Sequence, residues 1–134
     1  MNERDSLSFL HDAELSALSI SRKDSVITMD FVNGSVEHRL KFYDVIALRI
    51  VDLIQQNVVS QAFLSSSGDL SDEYLIKSIK WACSLSDSSE FINDSQAKAW
   101  IERIKRGELS LFVIEPSWGA ELVVVFGKLD KELR

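Results

Sequence analysis

The sequence predicts an α+β fold in which a mostly antiparallel sheet carries two helices on one face. In the first half of the chain, apolar and polar residues alternate at period two between turn residues. In the second half, two segments have apolar residues at helical spacing, and a strand-like hairpin follows them. Because the strands are consecutive, this order favours a two-layer sandwich over a doubly wound parallel sheet. We expect about six or seven strands in a single domain over residues 1–134.

The early part of the chain, residues 13–64, predicts four or five short strands. The clearest alternation is in residues 26–32, where one face is apolar and the other polar. Asn33-Gly34 follows, which is a pair typical of a tight hairpin turn. Residues 44–54 are apolar on both faces and are predicted as a covered strand, with a short helix as the alternative. Residues 57–64 predict another strand.

Two amphipathic helices are predicted next. The first spans about residues 72–84, with Ser71 as its cap and acidic residues in its first turn. The second spans about residues 95–106, with Asp94 or Ser95 as its cap, and it ends in basic residues and a glycine. Both helices are expected to pack on the same face of the sheet.

The C-terminal hairpin, residues 109–127, is predicted to turn at Pro-Ser-Trp-Gly and to lie centrally in the sheet. Both of its faces are apolar, so both need cover. The helices can cover one face. The other could be closed by sheet curvature, by residues 45–54, or by the second subunit of a homodimer. Trp118 in the turn either packs back on the sheet, which we favour, or stands out as a binding residue.

The charge balance bears on the class of partner. The net charge is −6 and is spread along the whole chain, so the cationic footprint that nucleic-acid binding requires is missing. An acidic surface suits a basic protein partner, although net negative charge more often serves solubility. No leader, membrane span or disulfide framework is apparent, and the single Cys83 is expected to be a small core residue. These features favour a cytoplasmic protein.

A group of possible metal ligands lies before the first strand and in the third. His11, Asp12 and Glu14, together with His38, could in principle form a site with two histidines and carboxylates. The spacing is a weak signal, because His11 and Asp12 would point to opposite faces of a strand. A turn-capping aspartate with a histidine partner, and a core-edge His38, are the favoured structural interpretations. No nucleotide cradle or nucleophile motif is present, and no cofactor is predicted.

The acids beside the hairpin turn are the other candidates for function. Glu115 and Glu121 flank the turn and could face each other, as paired-carboxylate catalysis would require. Solvated acids at a hairpin end are the favoured alternative. An acidic stretch, residues 69–94, could also attract a basic partner through Asp72 and Glu73, although a solvated helix pair is favoured there as well.

Three segments carry a resemblance to small bacterial proteins. They are Phe9-Leu-His-Asp-Ala-Glu-Leu-Ser-Ala-Leu-Ser-Ile, Gln56-Asn-Val-Val, and Gly107-Glu-Leu-Ser-Leu-Phe-Val-Ile-Glu-Pro-Ser-Trp-Gly-Ala-Glu. Together they resemble uncharacterised bacterial α+β proteins, some of which are suspected immunity proteins of polymorphic toxin systems. The resemblance implies a cytoplasmic protein that acts by binding, and it assigns no residue a role.

The leading hypothesis is therefore a non-enzymatic binding protein, immunity-like, with an acidic and aromatic surface for a basic partner. Its candidate residues are Asp72, Glu73, Glu115, Trp118 and Glu121. The alternatives are a small metal-dependent hydrolase that uses the histidine and carboxylate group above, and a structural homodimer.

Overall fold

The computed structural model describes residues 7–86, 89–90 and 92–134. The strands are β1 (Glu14–Ser21), β2 (Val26–Asn33), β3 (Val36–Tyr43), β4 (Ala47–Val51), β5 (Val58–Leu64), β6 (Ser84–Ser86), β7 (Ser89–Glu90), β8 (Ser110–Trp118), β9 (Glu121–Phe126) and β10 (Lys128–Leu133). The helices are α1 (Asp72–Ala82) and α2 (Asp94–Lys105), and short 3-10 turns occur at Ser8–Leu10 and Ser65–Ser67. No helix in these ranges is long and apolar enough to cross a membrane.

Eight strands form one antiparallel sheet in the order β10-β3-β2-β1-β5-β8-β9-β4, and β6 and β7 pair separately. The predicted α+β class, with a mostly antiparallel sheet and two helices, is confirmed. The strand number was predicted too low, because the predicted hairpin ended at residue 127 and β10 follows it. Four of the six residues of β10 are charged, so this strand lacks the apolar run on which the prediction relied.

The sheet is strongly curved. Only Gly127 separates β9 from β10, although these strands lie near opposite ends of the strand order. The Phe42 ring of β3 lies 4.9 Å from the Phe126 ring of β9 and 5.1 Å from the Phe112 ring of β8. In a flat sheet, β3 and β9 would be about 24 Å apart, since five strand spacings separate them. The sheet therefore coils until its two ends approach each other.

Curvature creates two apolar cores on opposite faces of the sheet. The interior core is enclosed by the coil and is formed mainly by residues of β2, β3, β8 and β9: Ile27, Met29, Phe31, Leu40, Phe42, Phe112, Ile114, Leu122, Val124 and Phe126. The second core, which we call the helix-side core, lies between the sheet and the helices and contains Leu75, Ile79, Ala97, Ile101, Leu111, Val113, Val123 and Val125. Of the three ways considered for covering the second face of the hairpin, the structure uses curvature together with the segment 45–54, from which Val45, Leu48 and Ile50 pack against the interior core.

The ends of the helices follow local capping chemistry. The Ser71 side chain accepts a hydrogen bond from the Tyr74 N–H at 3.1 Å, as the predicted cap of α1 requires. The cap of α2 was predicted at Asp94 or Ser95 but is Asn93. Its Oδ1 accepts from the Gln96 N–H at 2.8 Å, and the Gln96 side chain accepts from the Asn93 N–H at 2.9 Å. This reciprocal pair forms a capping box, which begins the helix one residue early.

The tip of the β8–β9 hairpin differs from the predicted Pro-Ser-Trp-Gly turn. Strand β8 continues through Trp118, and only Gly119 and Ala120 connect it to β9. Pro116 can lie inside the strand because the pairing of β8 with β5 is irregular there, with register shifts on both sides of Val59. The hairpin occupies interior positions of the sheet, beside the edge strand β4.

Candidate functional site

The structure brings the two predicted glutamates together beside α1. The last regular pair of the β8–β9 ladder is Ile114 with Leu122, so the next residues, Glu115 and Glu121, lie across from each other. Both line a crevice of about 180 Å³ between the hairpin and α1. The other lining residues are Tyr74, Lys77, Ser78, Trp81, Val113 and Val123. We call this the carboxylate crevice.

A tyrosine that the sequence did not suggest organises the crevice. The Tyr74 hydroxyl donates a hydrogen bond to Glu115 Oε2 at 3.1 Å, and its ring lies 6.0 Å from the Phe63 ring in an edge arrangement. Burial, followed by the negative charge and hydrogen bond of Glu115, raises the pKa of Tyr74 well above its ordinary value of 10.0, and Glu121 adds to this effect. The phenol is therefore a fixed donor at neutral pH, and it orients Glu115 rather than acting as a base.

The size of the crevice bears on the catalytic interpretation of the two glutamates. Pockets that hold small-molecule ligands usually measure about 300–1,000 Å³, and this crevice is smaller. Glu115 is half-buried and Glu121 is exposed at the mouth. Such a pair can attract and hold a cationic group at the surface, which is the chemistry of a binding site.

Trp118 is exposed, with 61% of its surface accessible, so the favoured prediction that it packs on the sheet is wrong. It is the last residue of β8, where the strand lies opposite Val58 at the start of β5. The neighbouring loop, residues 52–57, holds two further exposed apolar residues, Leu53 and Ile54. We call Leu53, Ile54, Glu115, Trp118 and Glu121 together the tip surface.

Buried Asn57 ties this loop to the hairpin. Its Oδ1 accepts hydrogen bonds from the backbone N–H groups of Ile54 and Ala120, each at 3.0 Å, and its Nδ2 donates to the Ile54 carbonyl. Gly119 allows this approach, because a Cβ at that position would lie 2.4 Å from Asn57 Oδ1 and the residue has a φ of 83°. The tip surface is therefore held on a rigid base. The sequence does not mark these residues, because Leu53 and Ile54 fall in the predicted strand 44–54 and Asn57 begins the predicted strand 57–64.

The segments that build the tip surface are free of cationic residues. Residues 50–76 and 107–127 contain no lysine or arginine. The cations at the margin are Lys77, which lines the crevice, and Arg49, whose guanidinium lies 4.4 Å from the Trp81 ring centre and donates to the Trp81 carbonyl at 3.2 Å. The tip surface therefore combines exposed apolar groups with net negative charge.

The remaining predicted acids lie elsewhere. Asp72 forms an ion pair with Lys105 of α2, at 3.0 Å, and lines a groove between the helices. Asp94 pairs with Lys80 of α1, whose hydrogen bond lowers the pKa of this carboxyl. Glu73 is exposed in the first turn of α1, and Asp87 of the same acidic stretch lies outside the described residues. The helix pair neutralises part of this stretch, and Asp72 does not join the carboxylate crevice.

Three of the four predicted metal ligands are engaged in other contacts. His11 Nδ1 donates to the Ser60 carbonyl at 2.7 Å, and its Nε2 lies 3.5 Å from Asp12 Oδ2 at the exposed surface. His38 stacks on Phe9 with ring centres 4.0 Å apart, and Glu14 lies in β1 opposite Val32. In the part of the chain that the structure describes, no three histidine, cysteine or acidic side chains group as a metal site.

Cys83 follows α1 and packs half-buried against the helix-side core. Burial raises the pKa of its thiol, so the thiolate form is disfavoured at neutral pH. This environment agrees with the predicted small core residue rather than with a reactive nucleophile.

Comparison of the chain with protein-family models, with curated proteins and with solved structures finds no match.

Proposed function

We propose that this chain is a non-enzymatic protein-binding domain that presents the tip surface to a basic protein partner. The observation that carries the proposal is the exposed Trp118 at the end of a hairpin whose flanking carboxylates lie in segments without lysine or arginine. Exposed tryptophans on rigid elements are typical anchors of protein interfaces, since they bury a large area at low entropic cost.

The rigid attachment of the tip surface to the sheet supports this role. Asn57 and Gly119 hold the loop and the hairpin tip together, so the exposed side chains need little ordering when a partner binds. A preorganised surface loses less conformational entropy on association, which favours affinity. Tyr74 likewise fixes one carboxylate in place before any partner arrives.

Charge supports the basic character of the partner. Glu115 and Glu121 can pair with arginine or lysine side chains, and the net charge of −6 would steer a cationic protein towards the domain. An immunity protein bound to a basic toxin, as the resemblance of the sequence implies, is one form of this proposal.

The test begins with the partner that co-purifies at near-equal amount when the protein is expressed with its neighbouring genes. Calorimetry then compares Trp118→Ala and the double variant Glu115→Gln/Glu121→Gln with two control variants. The controls are Leu133→Ala and Glu132→Gln on β10, which remove an exposed apolar group and an exposed charge far along the strand order.

We expect Trp118→Ala to weaken binding at least tenfold, by about 1.4 kcal/mol or more, as removal of an interface anchor does. The double glutamine variant should weaken binding and reduce its dependence on salt. Asp72→Asn and Glu73→Gln should have smaller effects, because Asp72 already pairs with Lys105. Unchanged affinity in both tip variants, with folding intact, would refute the proposal.

Two measurements address the alternatives. A divalent ion retained by the purified protein at equal amount would favour the metal-dependent hydrolase, in which His11, Asp12, Glu14 and His38 would rearrange to bind it. Sedimentation at several concentrations tests the homodimer. Sheet curvature already covers the hairpin face for which a second subunit was considered.

A further inference from the structure

The two edges of the main sheet differ in how they are protected. Strand β10 forms one edge, and four of its six residues are charged, which discourages another strand from pairing with it. Strand β4 forms the other edge, with the sequence Ala-Leu-Arg-Ile-Val. Its single charge belongs to Arg49, whose guanidinium lies over Trp81. Strand β4 is therefore the less charged and more apolar of the two edges.

Within the described residues, β4 pairs with a strand on one side, and just before it the Val45 N–H donates to the Ser25 carbonyl at 3.0 Å. Strand β4 forms a five-residue antiparallel ladder with β9, and no strand within the described ranges pairs with its outer side. The backbone N–H and C=O groups of that outer side are in the position from which a sheet accepts an added strand.

Two apolar pockets lie on opposite faces of this same edge. One, of about 400 Å³, lies towards the interior core and is lined by Ile20 and Ile27 among others. We call it the interior-side pocket. The other, of about 630 Å³, lies towards the helices and is lined by Leu85 and Trp100 among others. Residues 46–48 line both pockets, so the start of β4 forms the wall between them.

This arrangement fits an extended peptide. Successive side chains of a strand point to opposite faces of a sheet, so a segment that pairs with β4 would direct them alternately into the two pockets. The far wall of the interior-side pocket includes Ile20, which is 58% exposed, and Ile46 on the near wall is 44% exposed. Apolar side chains of an added strand would cover both residues.

We infer that the outer edge of β4 binds an extended segment of a partner protein by strand addition. The segment has an apolar centre and basic residues at its ends. Its centre is apolar because Arg22 is the only charged side chain among the described residues that line either pocket. Its ends are basic because Asp44 and Asp52, both exposed, bracket β4.

A second copy of this chain fits the edge less well. Its own β4 could supply backbone hydrogen bonds, but Leu48 and Ile50 of that strand already pack against the interior core and Ala47 against the helix-side core. Those side chains could not also fill the pockets of a neighbour. The occupant is therefore a segment that is extended before or upon binding. The two pockets share no lining residue with the carboxylate crevice, although Val51 of β4 pairs with Glu121. The inference rests on the outer edge and these pockets and does not depend on the proposed function.

The test uses an acetylated peptide in which Val-Leu-Val-Thr-Val lies between Lys-Lys at each end. A control peptide has proline in place of the central valine, because proline cannot donate the backbone hydrogen bond that strand addition requires. Both are titrated into the intact protein and followed by amide chemical shifts and by hydrogen exchange.

We expect the first peptide to shift and protect the amides of residues 46–51, to leave those of β10 unchanged, and to bind at least about tenfold more tightly than the proline peptide. Ile20→Lys and Ile46→Lys, which place a charge in the interior-side pocket, should each weaken binding about tenfold. Leu133→Lys on the opposite edge, at an apolar position more exposed than either, should not.

Three results would overturn the inference. The first is saturation without any change at residues 46–51, and the second is equal binding of the proline peptide. The third is a protein that is already dimeric through β4 and becomes a monomer in the Ile46→Lys variant. That outcome would assign the edge to a second copy.

Discussion

The side-chain Oδ1 of Asn57 accepts a hydrogen bond from the backbone N–H of Ala120 at 3.0 Å, and so joins two turns that are 63 residues apart in the sequence. The same oxygen accepts from the Ile54 N–H, while Nδ2 donates to the Ile54 carbonyl. The Asn57 carbonyl also accepts from the Leu15 N–H at 2.9 Å. One buried residue therefore ties the loop to the hairpin through its side chain and to β1 through its backbone.

Replacement of Asn57 by alanine should destabilise the protein strongly. The change leaves two backbone N–H groups and one carbonyl without their side-chain partner, and Asn57 is only 4% exposed. Unsatisfied groups of this kind cost about 1–3 kcal/mol each, partly relieved by water, so we expect a loss of roughly 2–4 kcal/mol in the free energy of unfolding. Urea denaturation measures this loss.

Asn33→Ala is the matched control for that change. Asn33 donates to the Phe9 and His11 carbonyls at 3.0 and 3.3 Å but is exposed, so water can replace it. Its loss should cost less than about 1 kcal/mol. Equal effects of the two substitutions would show that Asn57 does not have the role described.

A second prediction concerns Gly119. Its φ of 83° disfavours any side chain, and a Cβ there would collide with Asn57 Oδ1 at 2.4 Å and approach the Gln56 carbonyl at 3.0 Å. Gly34 also has a positive φ, of 65°, but a Cβ there would meet nothing within 4 Å. Gly34→Ala should therefore cost about 1 kcal/mol from backbone strain alone, and Gly119→Ala at least about 1 kcal/mol more. Comparable denaturation midpoints for the two variants would contradict the steric argument.

Local sequence patterns account for much of the fold but not for its curvature. The alternation in β2 and the helical spacing in α1 and α2 reflect neighbours along the chain, so they could be predicted. The meeting of Phe42 with Phe126 depends on which distant strands approach each other, and no local period carries that information. Strand β10 was missed because an edge strand with charged residues has no apolar run to mark it.

The candidate site could likewise be predicted only in part from the sequence. The hairpin pattern was sufficient to place Glu115 near Glu121, since both flank one turn. The Tyr74 partner of Glu115 lies 41 residues earlier, on a helix whose position against the sheet is set by packing, so it could not be predicted. Trp118 was predicted to lie in a turn, with packing on the sheet favoured over exposure, whereas the strand continues through it and leaves it exposed.

A third prediction concerns acid stability. Asp30 is buried in β2, and the Arg39 Nε donates to its Oδ1 at 2.7 Å. This hydrogen bond, with the charges of Arg39 and Arg134, outweighs burial and lowers the pKa of Asp30 below its ordinary value of 3.8. Because the pKa of Asp30 is lower in the folded state, this carboxylate contributes stability that is present above pH 3.8. That stability is lost as the pH falls through the pKa of Asp30 in the folded protein.

The free energy of unfolding should therefore decline below about pH 4, and Asp30→Asn should flatten this part of the profile while lowering stability at neutral pH. Denaturation at a series of pH values measures both effects. Asp130→Asn, at a half-buried acid of β10, serves as the control and should retain the acid decline. An unchanged profile in Asp30→Asn would assign the decline to other carboxyls.

The last prediction concerns Tyr74 at alkaline pH. Burial and the Glu115 carboxylate raise the pKa of its phenol in the folded state above the ordinary 10.0. The raised pKa of Tyr74 contributes stability to the folded protein that is fully present below pH 10. This stability is lost as the pH rises through the pKa of Tyr74 in the folded state, because the unfolded chain ionises first. Stability should fall above about pH 10, and Tyr74→Phe should show a smaller alkaline decline.

At neutral pH the Tyr74→Phe variant should lose about 0.5–1.5 kcal/mol in the free energy of unfolding, the net value of one hydrogen bond. Ultraviolet titration of the phenolate separates this tyrosine from Tyr43, with Tyr43→Phe as the control. Ionisation of Tyr74 at its ordinary pKa in the folded protein would show that its hydroxyl is not held against Glu115.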